Sequence, residues 1–155
     1  MKIDREKLKN IDKLPADVRR ELALLMNKHD QKTKESKIRS DFLTFVKHVW
    51  PDFIEGRHHK EIADKFNKLA EGKIKRLIIN MPPRHTKSEF GSYLLPAWMV
   101  GKNPKLKIIQ STNTTELSVR FGRKAKALID SPEYQEIFKT RLKEDSQAAG
   151  KWETA

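Results

Sequence analysis

The stretch from Lys75 to Trp98 constrains this chain most. Leu77, Ile78, Ile79 and Met81, with Asn80 among them, make a short apolar run that reads as a buried strand. Pro82-Pro83 stops it, because proline donates no ladder hydrogen bond. A polar loop, Arg84-His85-Thr86-Lys87-Ser88, then leads into a helical stretch carrying Phe90, Leu94 and Trp98, which Pro96 must kink or divide. Gly101-Lys102-Asn103-Pro104 is a turn, and Leu106, Ile108 and Ile109 make a second strand ending near Ser111. Strand, loop, helix, strand, helix is the pattern of a parallel sheet flanked by helices, so the expected class is α/β. Ligands in such sheets sit at the carboxyl ends of the strands, which is where the loop at 82–88 falls.

The remainder divides into two parts. Residues 1–39 read as a basic helical arm or linker: Val18, Leu22, Leu25 and Met26 share a helical stripe and Pro15 suits a first turn. His29 to Ser40 is a linker or a solvated helix face. Residues 40–155 hold the folded portion. Ser40 is positioned to cap a helix with Phe42, Phe45, Val46 and Val49 inward, ended by Trp50-Pro51. After a loop with Gly56, a helix starting at His58 or His59 turns Ile62, Phe66, Leu69 and Ala70 inward and closes at Gly72. The clearest helix is 114–129, with Leu117, Phe121, Ala125 and Leu128 on one face and Arg120, Arg123, Lys124 and Lys126 on the other. Ser131-Pro132-Glu133 starts a short helix with Tyr134, Ile137 and Phe138 inward. Beyond Lys139 the pattern fades.

Charge points to a class of partner. Thirty-three Lys and Arg against twenty-one Asp and Glu leave a net charge of +12, which suits a polyanion. The face carrying Arg120, Arg123, Lys124 and Lys126 is the candidate for double-stranded DNA; the alternatives are a solvated or a subunit-facing surface. The absence of cysteine excludes disulfides, thiolate metal sites and Cys nucleophiles, and is compatible with a reducing cytoplasm. No apolar run approaches the roughly 20 residues of a membrane span. MKIDREKLKNIDK has no apolar core of the kind a secretory signal carries.

A phosphate-binding loop needs inward backbone N–H groups, a Lys for the β and γ phosphates, and a hydroxyl for Mg²⁺ at a helix N-terminus. Lys87-Ser88 supplies the last two, in order, after a strand and a loop. Met81 and Thr86 occupy the positions of the two usual glycines. Met81-Pro82-Pro83-Arg84-His85-Thr86-Lys87-Ser88-Glu89 resembles the deviant Walker A loop of the large terminase subunits of tailed phages, often MPPRHGKS. Phe45-Val46-Lys47 to Trp50-Pro51, His58-His59, Arg76 to Asn80, Pro96-Ala97-Trp98 and Phe121-Gly122-Arg123-Lys124 resemble that family in the same order, over about residues 40–155.

The resemblance implies the N-terminal portion of a P-loop ATPase of the RecA-like kind, which drives DNA into an empty procapsid. ATP and Mg²⁺ would be its cofactors, held by Pro82, Pro83, Arg84, His85, Thr86, Lys87, Ser88 and Glu89. Lys87 would neutralise the β and γ phosphates, Ser88 would ligand Mg²⁺, and Arg84 would sense the γ phosphate or stabilise its charge, the alternative being a solvated or phosphate-steering arginine. Arg84 and Lys87 are thus the catalytic candidates. His58 and His59 would lie by the adenine; the alternative is a structural pair. The implied partners are DNA, the portal protein, the small terminase subunit and further copies in a ring, in the host cytoplasm at the procapsid portal. The second reading is a non-catalytic interaction or DNA-binding module derived from a terminase.

A motor ATPase of this family also needs a Walker B strand ending in an acid, a catalytic Glu, and a nuclease domain. Leu128-Ile129-Asp130 is the nearest candidate for the strand, but its apolar residues follow helical period. Leu106 to Ser111 ends without an acid. The expectation is a chain that stops before Walker B and does not turn ATP over alone.

Overall fold

The computed structural model describes residues 15–147 and 152–154, with only the backbone described for 144–147. It is mostly helical. The chain forms two compact units, residues 1–36 and 37–155. In the first, the described residues belong to helix α1 (Ala16–Ser40), whose final turn lies in the second unit. Val18, Leu24 and Leu25 are exposed, and His29 to Ser40 continues the same helix, which buries Ile38 near its end. The first fourteen residues of the expected arm lie outside the described residues.

The second unit is built round an aromatic core. Helix α2 (Phe42–Val49) is capped by Asp41, which accepts from the Thr44 N–H at 2.8 Å; Ser40 ends the preceding helix instead of capping this one. Asn67 of α3 (Arg57–Ala70) joins that cap, accepting the Phe42 N–H and donating to Asp41, both at 2.9 Å. Burial works to raise the Asp41 carboxyl, but the bonds from Thr44 and Asn67 and the nearby Lys37 together hold it low. Gly72, at φ 73°, ends α3: its N–H reaches the Leu69 carbonyl and the Lys73 N–H reaches that of Lys68. A side chain at that φ would be strained, which is why glycine stands there.

Helical backbone then runs without a break from Lys87 to Lys102, through α4 (Lys87–Glu89), a π-helical segment (Phe90–Leu94) and α5 (Leu95–Lys102). Pro96 does not divide it. The Leu95 N–H bonds the Phe90 carbonyl five residues back, and this wider turn ends where the proline ring enters the helix. Phe90, Leu94 and Trp98 are fully buried, as their spacing predicts. Helix α6 (Thr115–Ile129) buries Phe121, Ala125 and Ile129, and α7 (Pro132–Ile137), capped by Ser131, buries Tyr134 and Ile137.

The expected parallel sheet is absent. The one sheet among the described residues pairs β1 (Leu142–Gln147) with β2 (Trp152–Thr154), antiparallel and with an irregular register. It lies in sequence read as patternless. The two segments read as core strands form no regular element and enter no ladder. Leu77, Ile79 and Met81 rest on the helical core while Ile78 is 86% exposed, so the run is covered on one face only. Ile109 is 97% exposed. Apolar β-branched residues favour extended backbone, but a strand becomes part of a sheet only when a neighbour accepts and donates its hydrogen bonds. Neither run has such a neighbour among the described residues, so α/β with a parallel P-loop sheet is not the fold of this structure.

Candidate phosphate-binding loop

The loop between Met81 and Lys87 has an unusual backbone. Arg84 and Thr86 both have positive φ, 64° and 58°, where residues with a Cβ are disfavoured. For a β-branched residue such as Thr86 the left-handed region costs about 1–2 kcal/mol. Thr86 thus takes a conformation that glycine adopts without strain. A left-handed residue running into right-handed helix turns successive N–H groups to one side, forming a concavity suited to an anion.

Thr86 is also the N-cap of α4, yet its side chain makes no capping bond. Its hydroxyl donates to the His85 carbonyl at 2.6 Å and accepts from His59 Nε2, also at 2.6 Å. The first-turn N–H groups of Lys87, Ser88 and Glu89 have no partner within the helix, as at any helix start, and the Thr86 side chain does not cap them. Lys87 and Ser88 are exposed beside them, and Lys87 Nζ turns back to the Met81 carbonyl at 3.4 Å. Pro82, Pro83, Arg84 and His85 are exposed along the loop.

His58 and His59 do come to this loop, but beneath it. His59 is buried, between the rings of Phe53 at 4.8 Å and Phe90 at 5.0 Å. Its Nδ1 accepts the Gly56 N–H at 2.8 Å, which leaves the proton on Nε2 for Thr86. The His58 ring lies tilted against His59, centres 3.8 Å apart, and 5.8 Å from the His85 ring, and its Nε2 is buried with no hydrogen-bond partner among the described residues. A Cβ on Gly56 would come within 2.8 Å of the His58 ring, so glycine keeps this approach open.

Burial first, then repulsion from His58 and His85, pushes the His59 imidazole below its ordinary 6.5, against a smaller opposing pull from Glu55. A histidine held neutral in the folded state adds stability above pH 6.5, and that contribution is lost as pH falls below it and only the unfolded chain takes the proton. The urea midpoint is therefore expected to fall between pH 7.5 and 5.5, by less in His59→Phe. An equal fall in both proteins would show that His59 is not the group responsible.

Glu89 and Lys124 join two parts of the reading. Lys124 Nζ lies 3.1 Å from both Glu89 carboxylate oxygens and 5.2 Å from the Tyr93 ring centre. Lys124 thus ties α6 to the start of the loop helix. Of its expected companions on the basic face, Arg120 and Arg123 are exposed and Lys126 is half-buried. Sequence reasoning missed both the Glu89–Lys124 and the His59–Thr86 contacts, since each joins residues distant in sequence. One signal for His59 was available: three residues into a helix behind Gly56, a polar side chain reaches back to the cap N–H.

A recess of about 720 Å³ lies elsewhere, lined by Pro96, Val100, Leu106, Ile108, Gly122 and Trp152 among others, and includes none of the loop residues. Among the described residues no group of three or more His, Asp or Glu is placed to hold a metal ion, and no helix is long and apolar enough to cross a membrane. Compared with protein-family models, with curated proteins and with solved structures, the chain matches none.

Proposed function

We propose that the chain binds the phosphates of Mg-ATP at the loop 82–89 as part of a DNA-packaging motor of the large-terminase kind. The observation that carries this is the uncapped start of the helical run from Lys87, behind a left-handed Thr86, with Lys87 and Ser88 exposed beside it. Open N–H groups, a Lys and a hydroxyl are the donor set that phosphate requires. Ser88 is the residue that would hold Mg²⁺ delivered with the nucleotide, and the ion would offset phosphate charge there. Arg84 adds a second cation beside the terminal phosphate. Hydrolysis needs a carboxylate to order the metal and another to activate water, and Glu89, the acid in the loop segment, is paired with Lys124. The proposal for these residues is therefore nucleotide binding, with turnover requiring carboxylates from elsewhere.

Competition tests the phosphate reading. With Mg²⁺ present, ATP and inorganic tripolyphosphate are expected to displace a fluorescent ATP analogue, and adenosine is not. Displacement by adenosine but not by tripolyphosphate would place recognition at the base and contradict the proposal.

Duplex DNA is the proposed polyanionic partner, and the net charge of +12 with the exposed Arg120 and Arg123 supports it. These two lie three apart on α6, so they project as neighbours. Binding without sequence preference is expected, weakening between 50 and 200 mM salt with a log–log slope of about −0.9 per phosphate neutralised. Arg120→Glu with Arg123→Glu should weaken binding and flatten the slope. Retention of both affinity and slope would exclude this face. Lys124→Glu is unsuitable for the purpose, because it would set a second carboxylate against Glu89.

A further inference from the structure

We infer that His59 is a positioning residue for the phosphate loop: its Nε2–H bond to the Thr86 hydroxyl holds Thr86 in the left-handed conformation and keeps that hydroxyl from capping the loop helix. The inference deepens the nucleotide-binding reading and rests on it for its consequence, though not for its geometry.

Three observations converge. First, a threonine occupies a backbone conformation suited to glycine, so something outside the residue must favour it. Second, the free rotation of a threonine hydroxyl would ordinarily let it cap the helix that begins next to it. Here His59 donates to the oxygen and the His85 carbonyl takes its proton, and in the place these two bonds fix the hydroxyl makes no capping bond to the loop helix. Third, the imidazole is fixed independently of the loop. Phe53 and Phe90 hold the ring plane, and the Gly56 N–H occupies Nδ1, which leaves Nε2 as the donor. Phe90 also belongs to the helical run that starts at Lys87, so the core sets the distance between His59 and the loop. In this arrangement the hydrogen bond does for Thr86 what the absent side chain does for glycine.

A double-mutant cycle tests this. Thr86→Val keeps the shape and the β-branch but removes the hydroxyl; Thr86→Gly removes the need for support. His59→Phe removes both imidazole bonds, while His59→Gln restores a donor at similar reach. Mg-ATP binding is expected to weaken about tenfold in Thr86→Val and in His59→Phe, with no further loss when the two are combined. His59→Gln should recover most of it. In a Thr86→Gly background, His59→Phe should change affinity by less than about twofold. A loss from His59→Phe that is the same in the threonine and glycine backgrounds would overturn the inference, since His59 would then act on the ligand or on folding.

The Thr86 Cα and Cβ chemical shifts supply a readout that needs no nucleotide. They should leave left-handed values in His59→Phe and keep them in His59→Gln. Unmoved shifts in His59→Phe overturn the positioning role whatever the binding data show. Should His59→Phe not fold, Thr86→Val, on the partly exposed loop, carries the same test: left-handed backbone retained without the hydroxyl overturns the inference. Moved shifts in a protein that binds no Mg-ATP would uphold the positioning role and defeat the nucleotide reading instead.

Discussion

Phe42→Ala is expected to cost about 3–5 kcal/mol of folding stability, the range for removing a buried aromatic ring from a packed core. Phe42 has no exposed surface, and its ring meets four others: Phe66 at 5.1 Å, Phe90 at 5.4 Å, Trp98 at 5.5 Å and Phe45 at 6.5 Å. Three of these contacts are edge-to-face, a geometry worth something beyond buried area. The site cannot collapse cheaply. Phe66 is held on α3 and Phe90 and Trp98 on the helical run from Lys87, so the alanine leaves a cavity. Domains are stable by only about 5–15 kcal/mol, so the variant should show a much lower urea midpoint. Leu24→Ala, on an exposed position of α1, should change stability by no more than about 0.5 kcal/mol. A Phe42→Ala loss as small as that of Leu24→Ala would mean that this aromatic cluster is not the core.

The helices were legible in the sequence because their signals are local. Phe42, Phe45 and Val46 sit at helical spacing and are all buried; Gly72 and Ser131-Pro132 mark a helix end and a helix start. The capping residue before α2 was misplaced by one: Ser40 and Asp41 are both good caps, but Ser40 ends α1 while Asp41 accepts from Thr44 and Asn67. The sheet was misread for a different reason. Leu77 to Met81 and Leu106 to Ile109 have strand composition, but a ladder is a property of two segments and composition describes one. In the loop, the helix start after Pro82-Pro83 was legible from the residue order, and helical backbone begins at Lys87. The left-handed Thr86 was not, because it depends on His59 across a gap that sequence spacing does not reveal. The same holds for Lys124, which reads as one of four basic residues on a face and is paired with Glu89.

Lys87→Ala is expected to abolish measurable Mg-ATP binding while leaving the fold intact. Lys87 is exposed, and the hydrogen bond from its Nζ to the Met81 carbonyl, at 3.4 Å, is long, so little folding energy depends on the side chain. A charge-assisted bond to phosphate is worth about 1.5–3 kcal/mol, or roughly 10- to 150-fold in affinity. The site is expected to bind Mg-ATP weakly, and that loss takes it out of reach of titration. Calorimetric titration of Mg-ATP into the wild-type protein and into Lys87→Ala, with unfolding curves to confirm equal stability, measures this directly. The account predicts a saturable isotherm for the wild type and none for the variant; equal affinity for both would contradict it.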